Sequence, residues 1–399
     1  MRVLMLADVF FPDTIGGAGR CVYDLARFLI ASGHEIQVVT RNTNDSLPET
    51  EVVDSIRIRR FSWRKEKPWR SYRYARSMIT DILQSDSVDV IHGFQPLICS
   101  SVARRLRQHP CVYTYYSPWA EEYLIKSRAK DFFRRLVAAR MRAIERRVLC
   151  SARKIVVLSG FAERLLRRDH PRTPQIHVVP AGVDLDRFRP TDAAERAYVR
   201  RKWDIDENAK LLLTVRNLVP RMGLKYLLKA LALLRDKGTR FVQLIGGDGP
   251  LRSELEQLSR SLGLQHHAIF VGRIQEEEMA AYYSASDLFV LPTVELECFG
   301  LVVIESLACE TPVLSTRCGG PEEILGPLGS SFLCARYDPR AMAEGIQSLL
   351  KEPFPRDGRL RNYVQRHFNW SSIAGRTEQI YAEALTIGLT ERKPDGRRV

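Results

Sequence analysis

No stretch of the 399 residues approaches the ~18 to 20 unbroken apolar positions of a membrane-spanning helix, so an integral membrane protein is not expected. The N-terminal apolar run ends at Ala7, too short for a secretory signal. Asp8, Pro12 and Asp13 follow it in place of a small-residue cleavage site. It reads as a first buried strand, and the chain as cytoplasmic. No Cys-x-x-Cys pair occurs. Cys21, Cys99, Cys111, Cys150, Cys298, Cys309, Cys318 and Cys334 are scattered, which argues against a zinc site and for reduced structural thiols. There is no Ser-His-Asp order, no His-Glu-x-x-His run and no internal repeat.

Acidic residues are in deficit. Lys and Arg number 61 against 47 Asp and Glu, a net charge of +14. That balance favours anionic partners without choosing among nucleotide, nucleic acid and membrane. The excess is uneven: Lys126–Lys154 holds eleven Lys or Arg against Asp131 and Glu145, a net +9. Phe133, Val137, Met141, Ile144 and Val148 recur there at helical spacing, which predicts one long amphipathic helix with a cationic face. Such a face suits an anionic membrane surface or an acidic acceptor, and equally a solvated surface helix packed on a sheet. Nucleic acid is not expected, because no recognised binding motif accompanies the charge.

Short β-branched runs alternate with helical patterns throughout. Val3–Ala7, Ile36–Thr40, Val88–His92, Cys111–Tyr115, Ile155–Leu158 and Ile176–Val179 form one series of predicted parallel strands. Leu211–Val215, Phe241–Ile245, Ala268–Val271, Leu288–Leu291, Pro312–Ser315 and Ser331–Cys334 form a second. Val22, Leu25, Ala26 and Leu29 mark a helix face that Gly33 ends. The pattern predicts an α/β chain of two doubly wound parallel sheets, 1–189 and 190–370, with ligands beyond the carboxyl ends of the strands in a cleft. From about Glu391 the chain is polar and basic and reads as a disordered tail.

Four motifs carry candidate chemistry. Pro12 to Arg20 contains Gly16 and Gly17, where backbone N–H groups can approach a phosphate at a helix start; a plain tight turn is the other reading. Gly246-Gly247-Asp248-Gly249-Pro250 fits a strand-to-helix turn with Pro250 at the first helical position better than an anion site, because of its aspartate. Pro292 to Ala308 is the most informative. A helix opening at Phe299 or Gly300 would aim the free N–H groups of Phe299, Gly300, Leu301 and Val302 at a diphosphate. Glu297 precedes that helix, within reach of a donor hydroxyl. Glu305 lies within its apolar stretch, where a carboxylate needs a partner such as ribose hydroxyls; a capping acid and a buried ion pair would explain both glutamates as well. Arg216 follows a strand at the switch point of its sheet, where arginine can neutralise a leaving diphosphate or simply stay solvated. Asp184-Leu185-Asp186 resembles a metal-binding pair but lies in the interdomain turn without other ligands, so no metal is assigned.

Taken in order, these residues resemble a family 4 glycosyltransferase, the retaining, metal-independent group with the GT-B fold. The likeness runs over roughly residues 1 to 385. It rests on Gly16-Gly17, Gly33-His34-Glu35-Ile36, Val179 to Phe188, Gly246 to Pro250, Glu297-Cys298-Phe299-Gly300 with Glu305, Gly319-Gly320 through Glu323-Ile324, and Trp370 to Tyr381. The resemblance implies a nucleotide-diphosphate-sugar donor (UDP- or GDP-linked), an unidentified acceptor and no cofactor. It implies Glu297 on the donor sugar, Glu305 on the ribose, the backbone of Gly300, Leu301 and Val302 on the diphosphate, and Gly16 and Gly17 closing over it. It also implies a final helix, about 371–386, crossing back to the first domain. Departures are specific. The family's usual Gly-Arg-Leu-Val-Pro-x-Lys-Gly places arginine where Asn217 stands and lysine where Met222 stands; Arg216 and Arg221 each lie one residue away. Tyr116 stands near the usual first-domain histidine, Cys298 replaces a glycine before Phe299, and Glu310 replaces the glycine after Cys309. These departures leave two expectations open: an active transferase, or a degenerate homologue that binds nucleotide-sugar or acts as a scaffold.

Overall fold

In the computed structural model the described residues are 1–390, apart from 14–15, 45, 65, 127–131 and 174. The expected tail from Glu391 therefore lies outside them. The chain divides into two compact units. The first comprises Met1–Leu124, Ala129–Ala181 and the C-terminal segment from Trp370; the second comprises essentially Gly182–Asn369.

The first unit is built on β1 (Arg2–Leu6), β2 (Glu35–Asn42), β3 (Thr50–Val53), β4 (Ile56–Ser62), β5 (Val90–Gly93), β6 (Cys111–Tyr115), β7 (Lys154–Val157) and β8 (Ile176–Val178). Their order in the sheet is β3-β4-β2-β1-β5-β6-β7-β8. All pairings are parallel except β3 with β4, an antiparallel hairpin that the sequence reading missed. Asp54 and Ser55 turn it with positive φ, the geometry of a two-residue hairpin loop. Its alternation is masked because Arg60 points inward and is buried beside Phe61. The final helix, Trp370–Thr390, belongs to this unit. Trp370 stacks on Phe28, Tyr381 is fully buried, and Arg153 donates to the Ala384 carbonyl at 2.7 Å. A buried aromatic of this size contributes roughly 1.5 to 3 kcal/mol, which fixes the helix where its sequence neighbours do not.

The second unit carries β9 (Lys210–Val215), β10 (Phe241–Gly246), β11 (Ala268–Gly272), β12 (Leu288–Leu291), β13 (Val313–Thr316) and β14 (Leu333–Cys334). Their order is β11-β10-β9-β12-β13-β14, all parallel. Strand order reverses at β9, so the crevice between the ends of β9 and β12 is the switch point of this sheet.

The units divide after Ala181 rather than at residue 189. Val183 donates to the Phe368 carbonyl, and Arg361 holds the carbonyls of Leu185 and Phe188, which binds 182–188 to the second unit. The long basic helix is also corrected. It covers Phe132–Leu149 only; Lys126 ends a separate helix, Trp119–Lys126, and residues 127–131 lie outside the description. Lys154 is a buried strand residue bonded to Gln175 and Glu383. Phe133 is exposed, and the packed stripe is Ala138, Met141, Glu145, Val148 and Leu149.

Candidate active site

The second unit gathers most of the expected site residues at its switch point. Arg216 directly follows β9, and its Nη2 donates to Thr293 Oγ1 at 3.1 Å, just beyond the end of β12. The same nitrogen lies 3.0 Å from Met222 Sδ and forms an ion pair with Glu297 Oε2. Both charged side chains are nearly buried, at 9% and 12% exposure, so solvent screens the pair little.

Backbone contact fixes these loops against each other. Gly223 has φ 70, and a Cβ there would stand 1.8 Å from the Pro292 carbonyl oxygen. Val294 donates to the Arg221 carbonyl at 2.9 Å, and Arg221 Nη1 donates to the Leu296 carbonyl at 2.9 Å. A Cβ on Gly320 would lie 2.5 Å from Phe299 Cα, while its N–H bonds the Glu297 carbonyl at 2.8 Å. The Gly246–Pro250 turn serves the same purpose: a Cβ on Gly247 would meet the Arg216 carbonyl at 2.0 Å. Pro250 is not at the first helical position. Leu251 first donates to the Leu218 carbonyl, and the helix starts at Arg252.

The helix expected from Phe299 or Gly300 begins at Leu301 and runs to Ala308, because Gly300, at φ 95, cannot be helical. Gly300 supplies no side-chain cap, so the N–H groups of Leu301 and Val302 begin the helix with only backbone dipole behind them. Two further donors nearby, Arg216 Nε and Arg221 Nε, are buried without a hydrogen-bond partner. A helix start without a side-chain cap, four residues after the Glu297 that Arg216 holds, suits an anion with several acceptor oxygens.

Glu305 has a protein partner that sequence reading did not foresee. Tyr283 donates its hydroxyl to Glu305 Oε2 at 2.8 Å. Burial, and then the Glu305 carboxylate, push the Tyr283 phenol far above its usual range, so it stays a donor. Asn217 is exposed, and Met222 is packed into the core beneath Arg216. The family cation positions therefore carry no charge, and the guanidinium beside them comes from Arg216. Arg221 is bonded to the Leu296 carbonyl, which makes it partly a loop fastener. Glu310 explains its own departure. It adopts φ 59, where glycine is usual, and its buried carboxylate accepts from the N–H groups of Gly358 and Arg361, anchoring the helix Arg359–His367. Asp184 Oδ1 is taken up by the N–H groups of Asp186 and Arg187 in a local turn.

In the first unit, Gly16 precedes the helix Gly17–Ala31. The Tyr116 hydroxyl reaches the Ala18 carbonyl in that helix's first turn, at 3.5 Å. Burial raises the Tyr116 phenol well above its usual range. Behind it, Phe94 stacks on both Tyr116 and His92. His92 is fixed between Tyr381 Oη at 2.7 Å and Thr114 Oγ1 at 2.8 Å, and burial lowers its pKa to about 3. Asp13 is clamped by β4, an element not expected from the sequence. Arg60 Nε and Nη2 grip the Asp13 carboxylate at 2.6 and 2.9 Å.

Comparison with known proteins matches residues 15–187 to the model described as Glycosyltransferase Family 4 and residues 195–367 to that described as Glycosyl transferases group 1. The chain is 29% identical to D-inositol 3-phosphate glycosyltransferase of Frankia alni, over 93% of this chain and 95% of that one. Sucrose-phosphate synthase of Thermosynechococcus elongatus superposes with TM-score 0.81 at 26% identity, over 97% and 99% of the two chains. HepE of Anabaena, solved with UDP-glucose, superposes with TM-score 0.74 at 19% identity, over 97% and 100%.

Proposed function

The chain belongs to the family 4-type glycosyltransferases, and from that premise we propose that it moves a sugar from a UDP- or GDP-sugar to an acceptor hydroxyl with retention of configuration. The observation that carries this reading is the cluster of Arg216, Thr293 and Glu297 beside the uncapped start of the helix Leu301–Ala308. Breaking the bond between sugar and diphosphate leaves negative charge on the departing phosphate. Catalysis consists of stabilising that charge more than the ground state. We assign the charge to the Leu301 and Val302 N–H groups and to the guanidiniums of Arg216 and Arg221, an arrangement that does the work of a divalent cation. Gly300 lets the backbone approach, and Phe299, buried against Phe368, holds the turn. Glu305, oriented by Tyr283, accepts from ribose hydroxyls. Glu297 is held by Arg216, which suits a carboxylate orienting sugar hydroxyls. Asn217, exposed beside Arg216, is a further donor contact. Gly16, Gly17 and Tyr116 are the first unit's candidates for ligand contact.

A second reading has one observation in its favour. Asn217 and the buried Met222 leave the usual cation positions neutral, and Arg216 is already paired. On that reading the chain binds a nucleotide-sugar without turnover, as a scaffold or partner.

A thermal-shift screen against UDP, GDP, ADP and their sugars, with and without magnesium, separates these readings from no site at all. The transferase reading expects one nucleotide class to raise the melting temperature without magnesium. It also expects slow donor hydrolysis in which proton NMR finds the donor's own anomer released first. A shift without turnover supports the second reading; the opposite anomer refutes retention.

A further inference from the structure

The first unit has a switch point of its own, and hydrogen-bond donors stand there without acceptors. Strand order reverses at β1, which opens the crevice between the ends of β1 and β5. Asp8 follows β1 and Gln95 follows β5, and Gln95 Oε1 accepts the Asp8 N–H at 2.7 Å. Only an oxygen can accept that bond, which fixes the orientation of the amide. Its Nε2 is left buried without a hydrogen-bond partner. Arg41, near the end of β2, donates from Nε to the Asp8 carbonyl at 2.8 Å. Both side chains are thus fastened to the backbone of one residue.

Arg41 is held twice. Besides the Nε bond, its guanidinium carbon lies 4.7 Å from the centre of the Trp63 ring, and Trp63 packs edge-on against Tyr72 at 5.6 Å. Tyr72 donates to Asp8 Oδ1 at 2.9 Å, which closes the circle of contacts. The outer nitrogens, Nη1 and Nη2, have no acceptor among the described residues. Neighbouring arginines differ: Arg57 pairs with Glu35, Arg20 with Asp24, and Arg60 with Asp13 and Glu51. The Asp8 carboxyl is taken by Tyr72 instead, and burial raises it above the ordinary carboxylate range. A solvated arginine needs neither a stack nor a bond. With its plane and its Nε both fixed, this guanidinium presents Nη1 and Nη2 as a preorganised fork, which matches the oxygens of a carboxylate or phosphate. Beyond Trp63, the exposed Arg64, Lys67 and Arg70 outnumber Glu66, and the Arg64 N–H is tied back to Ser71 Oγ at 3.0 Å. Such an edge draws anions toward the fork.

We propose that the acceptor carries an oxyanion, a phosphate or a carboxylate, bound by Arg41 Nη1 and Nη2, with Gln95 Nε2 donating to an oxygen beside it. An acceptor role for this point rests on the transferase reading, which assigns the diphosphate to the second unit and leaves the first unit's switch point for the other substrate. A neutral sugar offers hydroxyls that both give and take hydrogen bonds, and its site needs free acceptors as well as free donors. Arg41 and Gln95 leave donors alone, which is the complement of an anion. Arg41 is then a specificity-determining residue: it holds the acceptor by its charged group.

The test is calorimetric titration of the full chain at low salt with glucose, glucose 6-phosphate, glucuronate and inorganic phosphate, with the nucleoside diphosphates titrated in parallel. Expected are binding of an anionic probe, at least tenfold weaker binding of glucose, and at least a tenfold loss in R41Q. R41K retains a cation over Trp63 but not the fork and is expected to fall between wild type and R41Q, which keeps the test decisive if R41Q lowers the melting temperature. Q95E keeps an oxygen for the Asp8 N–H but replaces the free donor by an acceptor, and is expected to weaken the anions as well. Tighter binding of glucose 6-phosphate assigns the oxyanion as phosphate, and tighter binding of glucuronate as carboxylate. Anions held equally by wild type, R41Q and R41K are bound elsewhere, the Arg216 cluster included, and overturn the proposal. Glucose bound as tightly as the anions overturns it too. Nucleotide binding without anion binding sinks the proposal and leaves the donor reading standing. Anion binding without nucleotide binding sinks the donor reading and strips the anion site of its acceptor role.

Discussion

Arg60 and Asp13 form a buried pair, each side chain 1% exposed, and Glu51 adds a second carboxylate 2.7 Å from Arg60 Nη2. Removing one partner leaves an uncompensated buried charge, which costs about 3 to 5 kcal/mol, whereas replacing both by apolar groups is often nearly neutral. Arg60→Met is therefore expected to lower the urea midpoint severely and Arg60→Met/Asp13→Leu to recover most of it. Equal loss in both would place the effect elsewhere. His92 gives the pH counterpart. Its pKa is held at about 3 against an ordinary 6.5 because burial disfavours the charged ring. The unfolded chain then binds the extra proton first. The contribution is intact above pH 6.5 and drains away as pH falls toward 3. His92→Gln, which can still bond Tyr381 or Thr114, should flatten the stability profile between those values; an unchanged slope would show that other groups dominate. Neither residue was legible in the sequence. An arginine in a strand and a lone histidine carry no mark of which neighbours will bury them.

Elements that repeat a pattern were legible; elements that break one were not. Cys111–Tyr115 and Leu288–Leu291 were read to the residue because strands buried on both faces are unbroken apolar runs. The β3–β4 hairpin was missed because arginines fill Ile56–Ser62, and the basic helix was drawn too long because charge was counted where packing decides. At the candidate site, spacing placed Glu297 and Glu305 about the helix Leu301–Ala308. It could not show that Tyr283 from another helix would hold Glu305, because that contact depends on how two helices pack. Glu310 joins elements in the same way. Glu310→Gly would relieve its positive φ but release two N–H groups at the start of Arg359–His367. Bonds to a charged acceptor are each worth about 1.5 to 3 kcal/mol, and relief of the strained backbone returns about 1. A net loss of roughly 2 to 5 kcal/mol is expected by chemical denaturation; a gain would mean that the strain outweighs the bonds.

Across the whole molecule, two parallel sheets were expected from two runs of alternating strands and helices, and two sheets are present, each reversing its order at its first strand. In the second unit the reversal at β9 sets Arg216 beside Thr293 and Glu297, and the uncapped helix start follows in sequence. Met222 fills the core where lysine is usual, and Arg216, six residues earlier in the chain, brings its guanidinium to Met222's sulfur. The central claim is that this cluster binds the diphosphate of a nucleotide-sugar. Calorimetric titration of the nucleoside diphosphate selected by the thermal screen, into wild type and Arg216→Gln, tests it most directly. Loss of one charge-assisted contact of about 1.5 to 3 kcal/mol predicts at least tenfold weaker binding, with the unliganded variant still folded. Equal affinity in the two proteins would contradict the assignment of the diphosphate to this site.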